Sequence, residues 1–499
     1  MLISYKKVTI LFIVISSCIR LLLANFLEFG NDEVYYWLYA KYPALSHFDH
    51  PPMVGFLIQL FTGNFFFENE VFIRLAAIIP ASLSMYMIYL IGTYLKNSAT
   101  GFLGVILYNL NFYGFIISGT FILPDSPMVL FWLVSFFLFL QSLPKNPDEH
   151  KNTIKLFFAF FFLGCALYSK YQAVYLLFAV VLFVIFYNSK WLKSKTFYFG
   201  LLFPITGIFL IFYWNYSNDF ISFKFHNNRV SIFSLNFNKD SFFREILGQI
   251  VYTNPYVFFV IVIALLKIRK RKFDFDSKND AFFLLASIPL ILTTIYLSLF
   301  KDTLPHWSGV SYLTLIPLGA AHLVNKENIE KKLLVFFTVL SVIFIVGLLV
   351  INLGLFIPKN TSLKIEEQGR KDVLMDLYGW KQASKKVNNI LEKENLKHLP
   401  IFSKGWFPTS HIDYYIARPN KMNVYALGDL SEIHKYYWIN TSRFDKDFKE
   451  ALYITDSRNF INPKEILADF SLQKTIDTIP IIRGKDTVKY VFIYLIKKD

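Results

Sequence analysis

The residues best suited to acid–base chemistry lie close together near the amino terminus. Two carboxylates, Asp32 and Glu33, follow a long apolar run, and a second polar cluster of His47, Asp49 and His50 directly precedes a Pro-Pro pair. Carboxylates and imidazoles are costly to remove from water, so their concentration beside an apolar run favours a chemical role. The alternative is an ordinary solvated loop between two membrane spans.

More ionisable residues are expected on the same side of the membrane, at the outer ends of later apolar runs. They are Arg74, Asp125 (in Leu-Pro-Asp-Ser-Pro), Lys170 (in Tyr-Ser-Lys-Tyr), Arg229 (in His-Asn-Asn-Arg) and His306 (before Trp307). Ionisable groups at membrane depth are functional candidates by default. Structural alternatives stay open: Lys170 and Arg74 could snorkel, and Asp125 could cap a helix. Arg20, inside the first apolar run, is predicted to bond a neighbouring helix.

This set of side chains suits a phosphate that is attached to a lipid. The chain contains no GxxxxGK[ST] phosphate loop, whereas the headgroup of a lipid-linked phosphate lies at membrane depth. Lys, Arg and His could neutralise that phosphate as it leaves, and a carboxylate could take the proton of an attacking hydroxyl. His47, Asp49 and His50 could alternatively hold a divalent metal, although a hydrogen-bonded loop is favoured over a metal site.

Composition identifies the class of protein. The 499 residues are 55% hydrophobic and 17% charged, against roughly 25% charged in soluble domains. The chain is therefore predicted to be a polytopic membrane protein. Its net charge of +15 is assigned to cytoplasmic loops, not to nucleic-acid binding. The only two cysteines, Cys18 and Cys165, lie in apolar runs, so a disulfide framework is not expected.

Eleven apolar segments are predicted to span the membrane as helices. They are Val8–Leu27, Glu70–Leu95, Ser98–Ile117, Ser126–Leu143, Ile154–Tyr168, Tyr171–Tyr187, Phe197–Trp214, Ile246–Leu266, Phe282–Phe300, Val310–Val324 and Leu333–Phe356. The first is interpreted as a retained span and not a cleaved signal peptide. Met53–Phe67 is interpreted as a helix along the membrane surface, with a re-entrant segment as the alternative. Tyr36 and its aromatic neighbours suit the membrane–water boundary.

The distribution of Lys and Arg predicts the orientation. Basic residues concentrate in alternate loops, above all in the run 267–272, so the amino terminus is predicted to be inside. An odd number of spans then places the chain after Phe356 outside. We predict two domains: residues 1–357 form the membrane domain, and residues 358–499 form an extracytoplasmic α/β domain. The second domain should begin with a helix whose apolar stripe is Trp380, Val387, Ile390 and Leu391. Its predicted strands are Ile401–Ser403, Val424–Leu427, Tyr436–Ile439, Ala451–Ile454 and Val488–Ile496.

Several motifs, taken in chain order, resemble a known family. They are Asp32-Glu33 with Tyr35-Tyr36, Phe48-Asp49-His50-Pro51-Pro52, Arg74-Leu75, Pro124-Asp125-Ser126-Pro127, Ser169-Lys170-Tyr171, Leu304-Pro305-His306-Trp307 and Tyr378-Gly379-Trp380. Together they resemble the bacterial members of the protein O-mannosyltransferase superfamily, which are integral-membrane glycosyltransferases of the GT-C fold. These are related to the transferase that adds aminoarabinose to lipid A.

The resemblance implies a mechanism and roles for individual residues. Asp32 would be the catalytic carboxylate, and Asp125 a second acidic residue facing the same cavity. The remaining candidates, Glu33, Tyr36, His47, Asp49, His50, Arg74, Lys170, Arg229 and His306, would bind substrate. Where the aminoarabinose enzyme has a lysine before a proline, this chain has His50, so either His50 or Lys170 would be the main partner of the phosphate.

The expected activity is transfer of a sugar, with inversion, from a polyprenyl-phosphate donor to a hydroxyl or phosphate acceptor. The acceptor could be a lipid, a glycan or a protein, and no cofactor is required. The enzyme is expected in the bacterial cytoplasmic membrane, with its active site and its carboxyl-terminal domain on the extracytoplasmic face. A transporter or lipid flippase is the main alternative, but the paired halves typical of such proteins are not found in the sequence. A ligand sensor would leave the polar first loop unexplained.

Overall fold

The computed structural model describes residues 4–230, 236–269, 277–355, 364–443, 448–466 and 470–498. The chain forms two compact units. The membrane-helix unit contains residues 1–23 and 43–340. The α/β unit contains residues 24–42 and 341–499, so it includes a short piece of the amino-terminal region as well as the carboxyl-terminal part.

The first two thirds of the chain are helical. The helices are α1 (Tyr5–Phe26), α2 (Asn31–Lys41), α3 (Met53–Phe61), α4 (Glu70–Leu95), α5 (Ser98–Leu110), α6 (Asp125–Ser142), α7 (His150–Leu167), α8 (Val174–Tyr187), α9 (Lys195–Tyr216), α10 (Ile221–Val230), α11 (Lys239–Thr253), α12 (Pro255–Arg269), α13 (Ser277–Ser298), α14 (Gly309–Leu323) and α15 (Ile329–Asn352). Short 3₁₀ or π turns lie at 113–117, 171–173, 189–193 and 305–308.

The predicted multi-pass architecture is confirmed, but the number of eleven spans is not. By length and composition, six of the described helices could cross a bilayer alone, and a seventh span results if the bent pair α11–α12 counts as one. Many apolar side chains on these helices face outward, among them Leu22 (56% exposed) and Ile343 (61% exposed). Such extensive exposed apolar surface is typical of helices that contact lipid.

The predicted span Ile246–Leu266 is two helices, because the chain bends by 96° between α11 and α12. Asn254 adopts a left-handed backbone with φ of +71°. Pro255, which follows it, has no backbone N–H and disfavours a helical conformation in the residue before it. The prediction of one continuous helix here was therefore wrong. The predicted surface helix Met53–Phe67 is helical only as α3, and Gly63, at φ +59°, follows its end.

Arg20 lies fully buried in α1 and bonds a neighbouring helix, as predicted. Its guanidinium donates to Asn109 Oδ1 on α5 at 3.2 Å and to the hydroxyl of Ser16. The guanidinium also lies 4.4 Å from the ring centroid of Phe115. Both cysteines, Cys18 and Cys165, are free thiols.

The α/β unit contains a five-stranded mixed sheet in the order β2-β1-β3-β5-β4. Its strands are β1 (Ile401–Lys404), β2 (Val424–Leu427), β3 (Glu450–Asp456), β4 (Phe470–Arg483) and β5 (Asp486–Lys498). β1 is parallel to β2 and β3, and β5 is antiparallel to β3 and β4. The helices are α16 (Trp380–Lys393), α17 (Trp406–Ile412), α18 (Arg418–Asn420), α19 (Leu430–Ile433), α20 (Tyr436–Arg443) and α21 (Pro463–Ile466).

The predicted α/β class is confirmed, although the short helices α17, α18, α19 and α21 were not predicted, one predicted strand is a helix and one strand was missed. Tyr436–Ile439, predicted as a strand, begins α20, where Tyr436 and Ile439 are buried and Tyr437 is 52% exposed. Burial at i and i+3 suits one face of a helix, and four residues are too few to separate this pattern from a strand. β4 was missed because charged and polar residues interrupt its apolar pattern and one face is exposed.

The predicted apolar stripe of α16 is confirmed in most positions. Trp380, Val387 and Leu391 are buried, as is Ala383, while Ile390 is half-buried.

Candidate active site

A buried ion pair forms the centre of the candidate site in the membrane-helix unit. Asp125 is the first residue of α6, where Pro124 precedes it, and Lys170 lies in the turn between α7 and α8. Lys170 Nζ is 2.6 Å from Asp125 Oδ2, and each side chain is only 3% exposed. A buried pair is stable only when further hydrogen bonds satisfy its remaining oxygens and protons.

Tyr113 supplies one of these hydrogen bonds. Its hydroxyl donates to Asp125 Oδ1 at 2.8 Å. The ring fits because Gly309, the first residue of α14, has no side chain: a Cβ there would lie 2.4 Å from the Tyr113 ring. Both carboxylate oxygens of Asp125 are thus engaged, and its position is fixed from two sides.

The close approach of Gly309 to Tyr113 leads to a stability prediction. Replacing Gly309 with alanine should force the ring away and destabilise the protein by about 1–3 kcal/mol, as overpacking of a core does. Gly347→Ala is the matched control, because Gly347 has no atoms within 4 Å of the position a Cβ would take. The measurement is the thermal unfolding midpoint in detergent. An equal midpoint for Gly309→Ala and wild type would contradict the packing described here.

The charges of Lys170 and Asp125 affect the pKa values of two buried histidines. Burial lowers the pKa of His50 to about 3, and the charge of Lys170 contributes to the lowering while Asp49 and Asp125 oppose it. Burial likewise lowers the pKa of His306 to about 4, where Lys170 also contributes and Asp125 opposes. Both imidazoles are therefore neutral near pH 7, so each can donate one hydrogen bond but carries no positive charge.

Because the pKa values of these two histidines are lowered, the stability of the folded protein should depend on pH. Below pH 6.5 the unfolded chain binds protons that the folded chain does not, so stability should fall steadily as the pH drops from about 6.5 toward 4. His50→Gln should weaken this dependence in part, because His306 keeps its lowered pKa, whereas replacing the exposed His398 should leave it unchanged. Unfolding midpoints measured between pH 7 and pH 4.5 test the prediction, and a midpoint independent of pH in the wild type would refute it.

The loop between α2 and α3 brings the predicted residues His47, Asp49 and His50 together with a residue that was not predicted. His226 on α10 contacts the backbone carbonyl of Asp49 through Nε2 at 2.8 Å, and its ring centroid is 6.2 Å from that of His50. The carbonyl of His47 accepts a hydrogen bond from Ser222, also on α10, at 2.9 Å. The hydrogen-bonded loop favoured by the sequence is therefore present.

A divalent metal held by His47, Asp49 and His50 is the alternative to a hydrogen-bonded loop, and it stays untested. Within the ranges that the structure describes, no group of three or more His, Cys, Asp and Glu residues is arranged to hold a metal ion. Of the candidate ligands, Asp49 contacts His226 through its backbone carbonyl oxygen.

The two predicted arginines occupy different environments. Arg74 is fully buried within α4, which excludes the expectation that it merely snorkels. Arg229 is exposed at the end of α10, with its guanidinium 4.8 Å from the ring centroid of Phe225. Its positive charge contributes to lowering the pKa of His226, although burial is the main cause. Arg229 thus lies beside the polar loop.

The predicted residues Asp32, Glu33 and Tyr36 belong to the α/β unit. Asp32 is exposed in the first turn of α2, where the helix dipole favours a negative charge. Glu33 is buried and accepts the backbone N–H of Gly30 at 3.0 Å, so it caps the helix. Tyr36 is buried against Tyr35. The roles assigned to these three residues stay predictions.

Two residues of the site were missed by reasoning from sequence. Tyr113 follows an unremarkable apolar run, and nothing in the sequence distinguishes it from the 29 other tyrosines. His226 had a weak signal, because it stands in the same His-Asn-Asn-Arg stretch that identified Arg229. The contact could not be seen in the sequence, because His226 and Asp49 are 177 residues apart.

Comparison with known proteins supports the predicted resemblance. Residues 49–214 match the family described as dolichyl-phosphate-mannose-protein mannosyltransferase, and this third of the chain includes His50, Asp125 and Lys170. Among solved structures, ArnT from Cupriavidus metallidurans in the apo state superposes with a TM-score of 0.64 at 11% identity. The same protein bound to undecaprenyl phosphate gives a TM-score of 0.63, also at 11% identity. Each alignment covers 98% of both chains. No curated protein sequence matches the chain.

These comparisons confirm the predicted fold class. The chain has the polytopic fold of ArnT over nearly its whole length, including the carboxyl-terminal sheet region. The motifs that suggested the resemblance and the family match overlap in the segment that supplies the buried ion pair.

Proposed function

We propose that this chain, an integral-membrane glycosyltransferase of the GT-C fold, moves a sugar from a polyprenyl-phosphate donor to an acceptor hydroxyl or phosphate. The observation that supports this most is the buried Lys170–Asp125 pair, whose charges contribute to the pKa values of the buried residues His50 and His306. It lies in the segment that matches the mannosyltransferase family. The ArnT structure with undecaprenyl phosphate shows that this fold accommodates a polyprenyl phosphate.

Lys170 is the main phosphate partner in this proposal. An ammonium has three N–H donors, and Asp125 accepts one of them at 2.6 Å. The other two have no partner among the described residues, which leaves them for phosphate oxygens. His50 and His306 are neutral at pH 7 because burial lowers the pKa of each. They can donate hydrogen bonds, but they cannot supply the counter-charge. Of the two candidates for the main phosphate partner, His50 and Lys170, we therefore propose Lys170.

The proposed chemical step is a direct displacement at the anomeric carbon, which inverts its configuration. Asp32 takes the proton of the acceptor hydroxyl, and the acceptor oxygen forms a bond to the anomeric carbon. The bond between that carbon and the phosphate oxygen breaks, and its electron pair stays on the polyprenyl phosphate. Lys170 screens the negative charge that develops. Asp125, which accepts a hydrogen bond from Tyr113, holds the ammonium in position. Arg74, Arg229 and the loop residues His47 and Asp49 complete the substrate site.

The proposed location is the bacterial cytoplasmic membrane, with the site on the extracytoplasmic face. The concentration of Lys and Arg in the loops predicted to be cytoplasmic supports this orientation. A polyprenyl-phosphate sugar would be presented at this depth, where its headgroup meets the outer ends of the helices. The carboxyl-terminal residues 358–499 would then lie outside and could contact the acceptor.

Deleting the gene and restoring it tests the function in cells. We expect one sugar to disappear from a surface lipid, glycan or protein and the corresponding polyprenyl-phosphate sugar to accumulate, both read by mass spectrometry. Restoring the wild-type gene should reverse both changes, whereas a Lys170→Met gene should reverse neither. Identical surface molecules and identical lipid-linked sugars in the two strains would contradict the proposal.

A further inference from the structure

The helix that carries Asp32 is packed into the α/β unit. On α2, the ring of Tyr35 lies 5.1 Å from that of Trp406 on α17. The ring of Trp37 lies 5.3 Å from that of Tyr414, and both are buried. α2 is therefore part of the same hydrophobic core as elements that lie more than 350 residues later in the sequence.

The segment that precedes α2 is fixed by hydrogen bonds at its backbone and side chains. The carboxylate of Glu28 accepts the backbone N–H of Trp380 at 2.6 Å and that of Lys381 at 3.2 Å. These are the first two residues of α16, whose unsatisfied N–H groups favour a carboxylate. Gly379, just before the helix, has a left-handed backbone with φ of +94°. Glu28 thus caps a helix of the carboxyl-terminal region.

The next residue is held from two sides. The N–H of Phe29 donates to the hydroxyl of Tyr415 at 2.8 Å, and its carbonyl lies 3.0 Å from His411 Nε2. Burial lowers the pKa of His411 to about 3, so the ring is neutral near pH 7. Nε2 is the donor, because a carbonyl oxygen can only accept. That ring stacks on Trp380 at 4.6 Å, and the buried Lys489 lies 4.4 Å from the Trp380 ring centroid.

The carboxyl-terminal end of α2 is fixed as well. Lys435 Nζ donates to the backbone carbonyl of Tyr42 at 2.7 Å, and Arg443 Nε donates to the Tyr42 hydroxyl at 2.8 Å. Arg443 also pairs with the buried carboxylate of Asp413 at 2.8 Å. Both ends of α2 are therefore tied to the carboxyl-terminal part of the chain by hydrogen bonds that involve charged groups, which are stronger than neutral ones.

We propose that the carboxyl-terminal α/β region positions the catalytic helix α2, and that Glu28 is the positioning residue that links the two. This inference rests on the proposed role of Asp32. The carboxyl-terminal α/β region would then contribute to catalysis by holding α2, in addition to any contact that it makes with the acceptor. A catalytic carboxylate must be held within a fraction of an ångström of its productive place, and residues packed behind it provide that order.

Hydrogen exchange of α2 tests the inference without depending on any activity. Glu28→Gln keeps the size of the side chain but removes its charge, so the amides of residues 31–41 should exchange about 10-fold faster. Glu28→Asp should recover part of the protection. The matched control is Glu392→Gln, because Glu392 lies in an exposed ion pair with Lys397 on the same unit. Tyr415→Phe, which removes only the hydroxyl that accepts the Phe29 N–H, is a milder second variant should Glu28→Gln fail to fold. Unchanged exchange in both variants would overturn the inference.

Kinetics of the same variants test the link to catalysis. For Glu28→Gln we expect kcat to fall about 10-fold with KM for the donor unchanged, because phosphate binding uses other residues. Faster exchange of α2 with unchanged kcat would overturn the positioning role. Absence of transfer by the wild-type protein would instead refute the proposed function, while the exchange result would still show whether Glu28 orders α2.

Discussion

Replacing Asp32 with asparagine is expected to lower sugar transfer by about 10²–10⁴-fold, the usual contribution of a general base. The amide has nearly the same shape but cannot accept the proton of the acceptor hydroxyl. Because Asp32 is exposed in the first turn of α2, the substitution should leave folding and membrane insertion intact. Release of polyprenyl phosphate under single-turnover conditions measures the effect, since that assay isolates the chemical step.

The control for this variant is Asp477→Asn on β4, another exposed aspartate of the α/β unit that has no proposed role. It should transfer at the wild-type rate. Donor binding should survive in Asp32→Asn, because Lys170 and the histidines are unchanged. A near-normal rate for a folded Asp32→Asn protein would remove Asp32 from the mechanism.

Loss of the Lys170 ammonium is expected to affect both stability and transfer. Lys170→Met leaves the carboxylate of Asp125 buried without its cation, which typically costs about 3–5 kcal/mol. The variant also loses the charge that screens the departing phosphate, so transfer should fall by about 10²–10³-fold, the range seen when a preorganised donor is removed. Thermal unfolding in detergent and single-turnover transfer measure the two effects separately.

A double variant separates the structural effect from the catalytic one. Lys170→Met combined with Asp125→Asn removes both charges, so most of the lost stability should return while transfer stays low. Lys151→Met is the surface control, because its ion pair with Glu149 is exposed and contributes little. Recovery of transfer together with stability in the double variant would show that Lys170 serves only the fold.

The sequence was informative about the site because charged residues are rare in apolar runs. Lys170 and Asp125 were identified separately, each by its place at the end of a predicted span, and the structure brings them to 2.6 Å. The pairing itself could not be predicted, since it depends on how α6 packs against the turn after α7. Tyr113 was missed for the same reason: its role arises from the space that Gly309 leaves, which no local pattern reveals.

The fold class could be predicted from hydropathy. Short apolar runs, however, did not show whether a segment forms a helix or a strand. The four residues from Tyr436 to Ile439 fit a strand or one helical turn, and tertiary packing decided for the helix. Length alone also could not show that the chain breaks at Asn254-Pro255. The inclusion of α2 in the α/β unit depends on contacts over hundreds of residues, such as Glu28 with Trp380, and has no signature in the sequence.

The most direct test of the central claim is the fate of the donor when the purified protein is given a cell-envelope extract of the strain that lacks the gene, which contains the lipid-linked sugar together with lipid, glycan and protein acceptors. We predict that free polyprenyl phosphate is released as polyprenyl-phosphate sugar is consumed, and that Asp32→Asn and Lys170→Met proteins release almost none. A transporter or flippase would leave the bond between sugar and phosphate intact. Binding of the lipid-linked sugar with no free polyprenyl phosphate formed by the wild-type protein would contradict the account.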